Sequence, residues 1–92
     1  MREVVFANVD AFIAGMKDLG IGKIAFSETL ENRPERNGES MIRVAMVNLV
    51  ELIAYRDSVL YKCPLRDIDH DSLYGMLVSA GFEVTRRSRN IT

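Results

Sequence analysis

The chain has 92 residues, the length of one ordinary domain, and 48% hydrophobic with 27% charged content argues against a disordered chain. Twelve Lys and Arg against thirteen Asp and Glu leave a formal net charge of -1, which excludes the global attraction to phosphate of a dedicated nucleic-acid binder; any such binding must be local. The single cysteine excludes an internal disulfide framework and a Cys-rich zinc fold, and it fits a reducing cytoplasm. Arg2 and Glu3 directly after Met1, with Asn8 and Asp10 interrupting the first apolar run, argue against a signal peptide. Residues 41–55 are broken by Arg43, Asn48 and Glu51 and fall short of the roughly 20 apolar residues that span a bilayer. One soluble, cytoplasmic domain over residues 1–92, with no membrane partner, is the expectation.

In chain order, Val4-Val5-Phe6 reads as a short buried strand. Asn8 or Asp10 then caps a helix whose Val9, Phe12, Ile13, Met16 and Leu19 recur at spacings of three and four, and Gly20 ends it. Residues 23–30 alternate as a strand, with Ile24, Phe26 and Leu30 on one face. The polar stretch 31–40, with Pro34 and an Asn37-Gly38 pair, reads as an exposed hairpin loop. From 41 onward two patterns compete. A meander of strands near 41–47, 50–56 and 59–63 is favoured by valine, isoleucine and tyrosine content. A helix over 40–56 is the alternative and would make the chain alternating α/β. Asp69 caps a second helix, flanked by Ile68 and Leu73 as an apolar clamp; Gly81 closes it, and 82–84 begins a last strand whose tail, 86–92, either extends it or frays.

The order strand, helix, strands, helix, strand implies an α+β fold: two layers, with both helices on one face of a mostly antiparallel sheet of about five strands. The sheet's other face is then an apolar surface larger than monomers normally expose, so a homodimer or another partner is expected to cover it.

Two groups of residues are candidates for chemistry. Arg86, Arg87 and Arg89 concentrate positive charge in the tail, and Arg33 and Arg36 in the loop extend it if the fold brings them near. They form a candidate anion or nucleic-acid site, although aromatic residues for base stacking are missing from both segments and an arginine-protected edge strand explains the cluster without a ligand. The second group, Cys63, Asp67, His70 and Asp71, holds the only cysteine and the only histidine. A His70 base oriented by Asp67 or Asp71, with Cys63 as nucleophile, is weighed against helix capping and a buried thiol, which explain the same residues. Asp67, Asp69 and Asp71 carry the spacing that opens a calcium loop, but Ser72 replaces its glycine and Val78 its final glutamate. Gly20-Ile21-Gly22-Lys23 follows a helix instead of preceding one, so it is not a phosphate loop. No catalytic residue, cofactor or metal is assigned. A non-enzymatic interaction or regulatory module, self-associating through a sheet surface or edge, is the leading expectation. An anion binder and a small enzyme near His70 are the alternatives.

Overall fold

A computed structural model describes residues 2–37 and 41–91, with side chains at 2–29 and 49–89. The elements are β1 (Arg2–Val5), α1 (Val9–Asp18), β2 (Lys23–Asn37), β3 (Met41–Arg56), β4 (Val59–Arg66), α2 (His70–Ser79) and β5 (Glu83–Ile91). The fold is the expected two-layer α+β arrangement, with one mixed sheet of five strands in the order β1-β4-β3-β2-β5. β3 pairs antiparallel with both β2 and β4, while the outer pairs β1·β4 and β2·β5 are parallel. β3 alone therefore runs against the other four.

Two expectations need correction, and the choice left open for the tail is decided. Residues 31–37 continue β2 instead of forming a loop; the ladder runs to Asn37 opposite Met41, and the rest of the expected loop, 38–40, lies outside the described residues. Asn48-Leu49 is no turn: one strand covers 41–56, which also removes the helical alternative. The tail does not fray through 91, because β5 pairs with β2 as far as Ile91 opposite Glu31; Thr92 lies outside the described residues.

Both helices begin and end on local chemistry. Ala11 donates its amide to Asn8 Oδ1 at 2.8 Å, and Ser72 donates to Asp69 Oδ1 at 3.0 Å, each filling an amide that a first turn leaves open. Gly20 (φ 70°) and Gly81 (φ 97°) take the left-handed conformation just beyond each helix. Ile21 then donates back to the Met16 carbonyl at 2.9 Å and Phe82 to Leu77 at 3.2 Å, the six-to-one closure of a Schellman motif.

Two crossovers decide where the helices lie. β1-α1-β2 and β4-α2-β5 each join parallel strands three places apart in the sheet, stepping in the same direction. Right-handed connections therefore put both helices on one face. That face is the core: Phe12 and Met16 of α1 and Leu73 and Leu77 of α2 close over Phe26, Val50, Leu52 and Cys63. None of the described helices is long and apolar enough to cross a membrane.

The β3-β4 connection is the two residues Asp57 and Ser58, with φ 52° and 63°. Positive φ at both is the requirement of a type I′ turn, whose twist matches the flanking strands and whose second position favours glycine. A side chain at Ser58 works against that conformation. Ser58→Gly should therefore raise stability by about 1 kcal/mol, read as a higher urea midpoint at unchanged slope. A midpoint that does not rise would show that Ser58 is unstrained.

Candidate functional site

Strand β2 places Ile24, Phe26 and Glu28 at alternate positions on the helix-covered face, and all three are buried. A carboxylate there is costly unless it is paired and hydrogen-bonded. Glu28 gains partners from two other elements. Parallel pairing with β5 sets Arg86 opposite Phe26 and Ser88 opposite Glu28. Arg86 donates Nε to Oε1 at 2.8 Å and Nη2 to Oε2 at 3.1 Å, and the Ser88 hydroxyl donates to Oε1. The Asp69 cap fixes the start of α2, which brings His70 Nδ1 to 2.7 Å from Oε2.

Arg86 has further partners, although it stays partly exposed. Its Nη2 is 2.8 Å from Asp71 Oδ1, and its guanidinium carbon lies 5.2 Å from the ring centres of both Phe26 and Tyr74. Those two rings meet edge to face at 5.9 Å. The charges reinforce one another. The Arg86 hydrogen bonds, helped by Ser88 and His70 and opposed by burial, hold the Glu28 carboxyl down to about 2. Glu28 first and then Asp71 raise Arg86 further above its ordinary value, against burial.

The cluster is built to hold elements together. With Glu28 ionised, His70 Nδ1 carries the proton of their hydrogen bond, which leaves Nε2 as the free nitrogen. A carboxylate-oriented histidine uses that nitrogen on a substrate or metal. Here Nε2 is buried and has no hydrogen-bond partner among the described residues. Nor, among the described residues, do three or more His, Cys, Asp or Glu stand together to hold a metal ion. A carboxylate held near pKa 2 by three donors is also a poor base at neutral pH.

Of the four polar candidates from the sequence, only His70 and Asp71 meet here, and they meet through Glu28 and Arg86 instead of directly. Cys63 is fully buried on β4 opposite Leu52, and burial pushes its thiol up. Asp67 sits exposed in a left-handed turn (φ 54°) ahead of α2. The three tail arginines do not converge on one site. Arg86 is committed to Glu28 and Asp71, while Arg87 and Arg89 flank Ser88 in β5 as exposed residues that share the opposite sheet face. Arg33 and Arg36 belong to β2 opposite Ala45 and Ile42, and their side chains lie outside the described residues. Sequence reasoning missed Glu28 and Ser88. The signal for Glu28 was present, since a charge at 28 interrupts the alternating face of Ile24, Phe26 and Leu30.

Two surfaces lie outside the cluster. The helix-free sheet face has a shallow depression of about 280 Å³ lined by Lys23, Ala25, Ile53, Tyr55, Thr85 and Arg87, among others. Tyr55 is 58% exposed and Val5 61%. The second surface is the far end of β2 and β3. β5 stops pairing at Glu31 and β4 at Leu49, so among the described residues 32–37 and 41–48 carry the sheet onward as a two-stranded ribbon. Compared with family models, curated proteins and solved structures, the chain matches none.

Glu28→Gln tests the cluster, since it removes the buried charge and leaves Asp71 as the one anionic partner of Arg86 among the described residues. It should cost about 2 to 3 kcal/mol at pH 7 in urea unfolding, at or below the range for breaking a buried pair because Arg86 is partly exposed. A carboxyl with a lowered folded pKa stabilises fully above its unfolded value, and that contribution is lost as pH falls from about 4.5 through about 2. The difference between the two proteins should therefore shrink over that window. Equal stability at pH 7 would show that the Glu28 cluster does not hold the fold together.

Proposed function

We propose that the chain is a non-enzymatic, self-associating interaction module and that its β2-β3 ribbon is the element a second copy covers. The observation that carries this reading is the ribbon itself. A chain of this length packs to a radius of gyration of about 12 Å when compact, whereas this one measures 15.8 Å and extends 54 Å along its longest axis. Isolated two-stranded ribbons are at best marginally stable in water. This one includes Met41-Ile-Arg-Val-Ala-Met-Val47, whose apolar residues fall at both alternating sets of positions. Setting this segment against a like segment removes the apolar area that meets across the junction from water, at roughly 25 cal/mol per Å².

The unpaired cysteine, buried in the core, suits a reducing compartment such as the cytoplasm. Anion binding has less support, because Arg86 is neutralised in the cluster and only Arg87 and Arg89 of the tail share the open face.

Sedimentation equilibrium should give a dimer mass at micromolar concentration. Val44→Asp with Met46→Asp should shift it to a monomer while circular dichroism of the folded body is retained. A wild-type chain that stays strictly monomeric would overturn the reading.

A further inference from the structure

We propose that two copies join edge to edge, with residues 41–47 of β3 pairing antiparallel to the same segment of a second chain about a two-fold axis at Val44. This rests on the self-association reading above and specifies its geometry.

A free strand edge presents unpaired amide and carbonyl groups, and proteins blunt such edges with charge, proline or brevity. The free edges of this sheet differ in that respect. β1 has only four residues. β5 carries Arg86, Arg87 and Arg89. The part of β4 beyond β1 contains Pro64, and the part of β2 beyond β5 contains Pro34 with Arg33, Glu35 and Arg36. β3 beyond β4 is long, has no proline and carries little charge. Its residues 41–48 include one charge, Arg43, and no proline, and their outer side is unpaired among the described residues. The least protected of these edges is the one suited to accept a strand.

The sequence of that edge also fits itself. Antiparallel pairs alternate between two kinds, so a two-fold axis normal to the sheet must pass through a residue facing its own copy. With Val44 on the axis, Ile42 faces Met46, Met41 faces Val47, and Arg43 faces Ala45. The only charge then avoids its own copy, and a β-branched pair occupies the centre. The two sheets become continuous through β3, with a β2 ribbon strand on each outer side.

Nitroxide labels on Ile42→Cys, Met46→Cys and Asn48→Cys test the register, with Cys63 buried and left unlabelled. Separation along the strands grows by about 7 Å for each residue away from the axis. Labels at 42 and 46 should therefore give like distances, and the label at 48 a distance longer by about 14 Å. Oxidation of Val44→Cys should join the two copies through that position. A dimeric mass with unequal 42 and 46 distances, or with no lengthening at 48, would overturn edge pairing and leave self-association standing. A monomeric mass with no dipolar coupling would overturn both and leave the edge to a strand from a different protein.

Discussion

The need to neutralise one buried carboxylate organises this molecule. Glu28 lies on the core face of β2, where an unpaired charge would be strongly unfavourable, and its partners come from β5 and α2. Arg86 must stand beside it, which requires β5 to pair with β2 in this register. His70 must reach down to it, which requires α2 to begin where Asp69 caps it. The Phe26 and Tyr74 rings then enclose the guanidinium. One charge thus links two strands and a helix that hydrophobic burial alone would leave freer to slide.

The cluster also marks where the helix-covered body gives way to the ribbon. Val50, opposite Glu28, is buried beneath the helix layer, whereas a few residues further along both strands pair only with each other. The polar cluster closes the end of the core, and the ribbon continues from it without helices above. Stiffness at the root would favour the proposed pairing of two copies, because less freedom is lost on association.

The legible parts of the fold were those set by local chemistry. Asn8, Gly20, Asp69 and Gly81 marked the helix ends because caps involve residues only a few positions apart. The length of β2 was hidden, since polar residues and Pro34 resemble a loop and yet are tolerated on a strand edge. The break expected at Asn48 was absent because β3 is continuous through the middle of the sheet, where its neighbours supply the pairing. Glu28 was visible as an interruption, but its partner Arg86 is 58 residues away and no local pattern joins them. Strand alternation separates Arg86 from Arg87 and Arg89 in the sequence already, whereas the commitment of Arg86 to Glu28 and Asp71 was not legible there.

The two crossovers have a consequence for how the chain reaches this state. Each passes over two strands, and each unit encloses a strand of the other: β4 lies between β1 and β2, and β2 lies between β4 and β5. Neither half can complete its own sheet first. The outer parallel pairs join Arg2 to Val59 and Lys23 to Glu83, about sixty residues apart, so both closures come at high loop entropy. The local β2-β3-β4 meander is the only part able to assemble early. Folding should therefore start from the centre of the sheet and finish at its edges, with the bare strand of the ribbon formed before the rest of the molecule is in place.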